Sequence, residues 1–80
     1  MNNEKKKAML ALKTARGQID AIINMIEEGR YCVDVSNQII ATQALLKKAN
    51  MLILKQHMYH CVKEAFENNK GNEKIDEIID

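Results

Sequence analysis

The sequence contains no proline and no tryptophan, with only three glycines, one phenylalanine and two tyrosines, so aromatics make up just 4% of it. Few chain breakers and few bulky rings suit helices packed on helices better than a sheet, and the fold class expected is all-α. Long apolar runs are missing as well. None approaches the length of a membrane span, and the basic N-terminus lacks the hydrophobic stretch of a signal peptide, so a cytoplasmic chain is expected. Cysteine is scarce. In a reducing compartment the two thiols, Cys32 and Cys61, serve more readily as ligands or reactive groups than as a structural disulfide.

What is present is a chain of 80 residues, 46% hydrophobic and 29% charged. Such a length makes a single domain over residues 1–80, and a chain this short leaves much of any apolar face exposed unless it oligomerises. The net charge of +1 hides an uneven distribution. Lys5, Lys6, Lys7, Lys13 and Arg16 stand against Glu4 at the start, whereas Glu64, Glu67, Glu73, Asp76, Glu77 and Asp80 outnumber Lys70 and Lys74 at the end. A symmetric oligomer would gather the basic ends into one patch.

Apolar residues at Ala8, Leu12, Ala15, Ile19, Ile22 and Ile26 draw one stripe along a helix from about Glu4 to Glu28, and Gly29 is the expected C-cap. From Arg30 to Lys70 there is neither Gly nor Pro. A second stripe runs through Val35, Ile39, Thr42, Leu46, Ala49 and Ile53, then more loosely through Val62 and Phe66, which predicts one long second helix. Gly71 and Asn72 break it, and Ile75, Ile78 and Ile79 predict a short third helix. Two long helices joined by one to three residues fold back as an antiparallel hairpin. A hairpin encloses no core, so pairing of two hairpins into a four-helix bundle, or a dimer of such dimers, is expected.

His57 and Cys61 lie one helical turn apart on one face, and a thiolate beside an imidazole is a natural half-site for Cu(I) or Zn(II). Cys32 is the obvious third donor. It lies on the same uninterrupted helix, roughly 37 Å from His57 at about 1.5 Å per residue, and so cannot reach within one chain. Antiparallel pairing of this helix with a second copy would bring Cys32 of one chain to His57 and Cys61 of the other, twice over, about a two-fold axis. The same separation forbids a Cys32 to Cys61 disulfide within a chain. Two thiolates and one imidazole favour low-coordinate Cu(I) over Ni(II) or Co(II), and Zn(II) would need a fourth donor. On spacing alone, simple core packing of a free Cys and a lone His stays open beside the ligand reading. His60 falls about 100° round the helix from His57 and reads as a surface residue.

The run LKTARGQIDAIINMIEEGRYCVDV from Leu12 to Val35, with the HxxxC pair at His57 and Cys61, resembles the copper-sensitive operon repressor family over almost the whole chain. The resemblance implies an all-α homotetramer, a dimer of dimers without a helix-turn-helix, that represses copper-homeostasis genes and leaves its operator DNA when Cu(I) binds. It assigns the ligands to Cys32, His57 and Cys61, and a hydrogen-bonded outer shell to Tyr31 and Glu77. Nickel- and cobalt-sensing members carry a second His where Cys61 stands and recruit an N-terminal His, where this chain has Asn2 and Asn3. Persulfide-sensing members lack the His, and formaldehyde-sensing ones lack the second Cys. For DNA the resemblance points to Arg16 and Lys48, with Lys5, Lys6, Lys7 and Lys13 adding phosphate-directed charge. Ala11 is a departure, standing where members often carry an arginine implicated in operator binding. A persulfide or thiol-redox sensor on the same scaffold, and a cytosolic copper buffer without DNA binding, are the alternatives; an enzyme is not expected, because two long helices offer no cleft.

Overall fold

The computed structural model describes residues 2–68, and these form two helices, α1 (Asn3–Glu27) and α2 (Cys32–Asn68). The expected third helix and Glu77 lie outside the described residues. α1 begins where Asn2, in an extended conformation, accepts the Lys5 N–H on its side-chain oxygen at 2.9 Å, satisfying one of the donors that a helix start leaves free. It ends at Gly29, whose φ of +72° is the left-handed conformation that a side chain disfavours. The Gly29 N–H reaches Ile26 O at 3.1 Å and the Arg30 N–H reaches Met25 O at 2.9 Å, the paired bonds of a Schellman stop. The connection, Glu28 to Tyr31, is one residue longer than the sequence pattern predicts, because Glu28 caps α1 instead of belonging to it. α2 then runs for 37 residues without interruption.

The two helices pack antiparallel into a slab of 58 × 26 × 13 Å, a layer one helix thick. Its seam is built from small residues. Ala8 and Ala11 of α1 meet Ala49 of α2, with Leu45 and Leu52 packed against them, while Ala15 and Ile22 continue the buried line on α1. Small side chains let the helix axes approach closely. One buried polar pair interrupts the seam. Thr42 Oγ1 lies 2.7 Å from Gln18 Oε1 and 3.1 Å from Gln38 O. The hydroxyl carries a single hydrogen; if it donates to the Gln38 carbonyl, the Gln18 amide must turn its NH₂ toward Thr42.

The expected stripes are covered only in part. Ala8, Ala15, Ile22, Thr42 and Ala49 are buried as predicted, but Leu12, Ile19, Ile26, Ile39, Leu46 and Ile53 remain exposed, and Ala11 joins the seam instead. The reason is geometric. Residues at alternating three- and four-residue steps sweep an arc wider than a single neighbouring helix can cover. The uncovered half of each stripe lies to one side of the slab, where Ile19, Ile23, Ile39 and Leu46 line a shallow apolar depression.

Two glycine substitutions test this description. A Cβ at Gly17 meets nothing within 4 Å, so Gly17→Ala should raise stability by up to about 1 kcal/mol in urea denaturation. Gly29→Ala also meets no atom, yet it places a side chain at φ +72° and should destabilise by about 1 kcal/mol.

Candidate metal site and basic face

Near its C-terminal end α2 brings His57 and Cys61 together, with His57 Nε2 3.5 Å from Cys61 Sγ. The i to i+4 spacing alone requires this neighbourhood, since residues four apart lie one above the other on a helix. The two donors differ in access: Cys61 is 2% exposed, whereas the imidazole lies open to solvent. A sulfur and a nitrogen held at this distance on a rigid helix form an incomplete pair of ligands. A two-coordinate start of soft character suits a thiophilic ion once another donor arrives.

Cys32 is the first residue of α2 and its thiol is exposed. The unbroken helix holds it roughly 37 Å from His57 at about 1.5 Å per residue, as the sequence spacing predicts. Among the described residues no three Cys, His, Asp or Glu side chains of one chain gather into a metal-sized cluster. Tyr31 stands beside Cys32, exposed, with its carbonyl accepting the Val35 N–H at 3.1 Å, and so shares Cys32's distance from His57. His60 is a surface residue, as expected, and pairs loosely with Glu64 at 3.8 Å.

The basic residues divide into groups. With successive residues about 100° apart, Lys6 and Lys13 lie on the side of α1 opposite the alanine seam, Arg16 and Lys5 lie toward one flank, and Lys7 lies on the other flank. Lys48 sits on α2, beside a groove formed with Met51, Leu54, Lys55, Met58 and Val62. All six are exposed. Ala11 is different. It is 5% exposed and packed against Ala8 and Ala49, so in this chain the position serves helix packing and has no surface to offer DNA. Two residues escaped the sequence reading. Gln18 pairs with Thr42 in the seam, and its signal was a polar residue continuing the Ala11, Ala15 and Ile22 face. Leu10, 67% exposed and outside the predicted stripe of α1, is the other.

Comparison with known families decides the class. A model of the family described as "Metal-sensitive transcriptional repressor" matches residues 4–80. The chain belongs to that family. The repressor is accordingly a regulator and not an enzyme. It is 42% identical over 80 residues to the copper-sensing transcriptional repressor CsoR of Mycobacterium ulcerans (strain Agy99), an alignment that spans 100% of this chain and 68% of that protein. Identity to the Bacillus subtilis (strain 168) protein of the same name is 39% over 79 residues, covering 99% and 78% of the two chains. Its fold is similar to the crystal structure of the copper-sensing repressor CsoR with Cu(I) from Geobacillus thermodenitrificans NG80-2, with a TM-score of 0.83 and 34% identity over 99% of this repressor and 82% of that chain. No described helix of the repressor is long and apolar enough to cross a membrane.

Proposed function

We propose that this repressor is a cytoplasmic Cu(I) sensor, acting as one metal-sensing and DNA-binding domain, that holds operator DNA in its metal-free form and releases it when Cu(I) occupies a site shared by two subunits. The observation that carries the reading is the His57 and Cys61 pair, 3.5 Å apart, on a helix too long and straight for Cys32 of the same chain to reach. The donor set fits the ion. Two thiolates and an imidazole are soft, few, and free of an accompanying carboxylate, which matches trigonal Cu(I). The relatives named as copper-sensing repressors support the same ion.

The α2 surface favours this pairing. Cys32, Ile39, Leu46 and Ile53 recur at heptad steps on one face, and the three apolar members are each more than two-fifths exposed. Leu46 lies midway between Ile39 and Ile53, and also midway between Cys32 and His60. An antiparallel pair of α2 helices with its two-fold axis at Leu46 therefore matches Ile39 with Ile53 of the partner subunit, and sets Cys32 beside His57 and Cys61 of the partner subunit. The register that buries the apolar residues is the one that completes the site. Two such dimers then form the homotetramer.

Cu(I), when bound, supplies a cross-link between two subunits that no single chain can provide. Cys32 enters from the start of one α2, and His57 and Cys61 from the end of the other, so occupancy biases the angle between the helices. Tyr31, next to Cys32, lies within reach of the same junction and with Glu77 would hydrogen-bond the second imidazole nitrogen, which fixes the ring for its ligand role. Arg16, Lys48, Lys13, Lys5, Lys6 and Lys7 supply exposed positive charge for the phosphates of the operator. Metal and DNA then oppose each other by an equal factor in affinity, as linkage requires.

Titration of the metal-free protein with Cu(I) should abolish a gel shift on its own promoter DNA near one equivalent per subunit; a shift that persists refutes the copper reading. His57→Ala should lose this response, whereas a sulfur-chemistry sensor relying on the two thiols would keep it. Mixing tests the shared site directly. Cys32→Ala and Cys61→Ala alone should each lose tight Cu(I) binding, and an equal mixture should recover about a quarter of the wild-type sites, because each heterodimer has one intact site and one doubly broken one. No recovery on subunit exchange would mean that the site lies within one chain.

A further inference from the structure

The outer face of α1 carries a feature that neither folding nor pairing explains. Met9 is 42% exposed and Leu10 67%, and both point away from the alanine seam. The apolar depression through Ile19, Ile23, Ile39 and Leu46, of which Ile39 and Leu46 were given above to the partner subunit, lies toward the flank of α1 that carries Lys5. Met9 and Leu10 line a shallow depression with Lys6 and Lys13, residues at i, i+3, i+4 and i+7 that share one helical face. On that face Met9 falls between Lys5 and Arg16 on one flank and Lys6 and Lys13 on the other. Met9 framed by four cations, with Leu10 just beyond Lys6, at the basic end of the chain, is complementary to a groove walled by phosphates.

We propose that α1 presents this face to the major groove of duplex DNA, with Met9 and Leu10 touching thymine methyl groups while Lys5, Lys6, Lys13 and Arg16 engage the flanking phosphates. The dimensions agree. A helix about 10 to 12 Å across fits a major groove about 12 Å wide, and the flank with Lys6 and Lys13 and the flank with Lys5 and Arg16 can each reach the backbone on its own side of the groove. Chemistry selects the target. Leu has no donor or acceptor and Met only a weakly accepting thioether with which to read a base edge, and the apolar group that base pairs display in the major groove is the thymine methyl. Cations without hydrogen bonds to bases would hold DNA of any sequence, whereas the apolar pair adds preference for sites with thymine at the right spacing. The assignment rests on the DNA-binding reading of the previous subsection and gives it a mode of sequence recognition.

The test uses full-length, metal-free protein and a duplex that the wild type selects from a random library. Met9→Gln and Leu10→Gln should each weaken binding to that duplex about fourfold for every α1 that contacts it, the value of roughly one lost methyl contact, with an unchanged dependence on salt and unchanged Cu(I) stoichiometry. Lys6→Gln and Lys13→Gln should instead lower the slope of log affinity against log salt by about 0.9 each for every α1 that contacts the duplex. Replacing every thymine of the duplex by uracil, which lacks the methyl, should weaken the wild type but not the Met9→Gln/Leu10→Gln double variant. Wild-type affinity in both glutamine variants overturns the contact while leaving the repressor reading intact. A fall in oligomer size in the same variants, read by sedimentation, would also overturn it, because the face would then belong to a subunit interface. Absence of any salt-dependent DNA binding by the wild type overturns both readings together.

Discussion

The continuity of α2 is the constraint from which the other features follow. A helix of 37 residues acts as a ruler of about 55 Å, and every residue along it has a fixed distance and a fixed bearing. Cys32 at one end and His57 with Cys61 toward the other are therefore chemically related and physically separate. A break anywhere between them would let one chain fold its donors together. Its absence means that a site built from all three residues would require two chains, so that binding there would also be an event at an interface.

The same helix explains how the apolar residues are shared out. Within one chain the seam takes the alanines, with Ile22 and Thr42, and closes a layer 13 Å thick. Larger residues such as Ile19, Ile39, Leu46 and Ile53 are left outside it. Small side chains give close helix approach but little buried apolar area, since each large aliphatic side chain contributes about 1.5 to 3 kcal/mol when fully buried and alanine much less. If such a hairpin associates as proposed, it gains much of its burial then, and its stability and oligomeric state are linked by mass action. The buried Thr42 and Gln18 pair fits the same view. A polar contact in an otherwise small-residue seam penalises a slipped pairing of the helices, because the hydroxyl and the amide would each lose a partner.

Much of this was legible before any coordinates. Gly29 marked the end of α1 because only a glycine accepts φ +72° without strain, and the lack of Gly and Pro from Arg30 to Lys70 marked the length of α2. The neighbourhood of His57 and Cys61 followed from their spacing, and the separation of Cys32 from them followed from the rise of a helix. Ala11 was misread. As a sequence position it stood where an operator-contacting arginine was expected, whereas in the hairpin it faces Ala49 and belongs to the seam. Nothing local distinguishes an inward alanine from an outward one, because alanine suits any helical position.

The sequence by itself determined the helices, their capping and the half-site, since each depends on residues within a few turns of one another. It also determined that Cys32 cannot join His57 and Cys61 within one chain. Only the tertiary structure decided which half of each apolar stripe is spent inside the hairpin and which is left for a partner, and which side of α1 carries its cations outward. Those choices depend on how two helices rotate about their own axes to bring Ala8, Ala11 and Ala49 into contact. Periodicity sets the width of an apolar face, but the steric fit of the opposing side chains sets the line along which that face is covered.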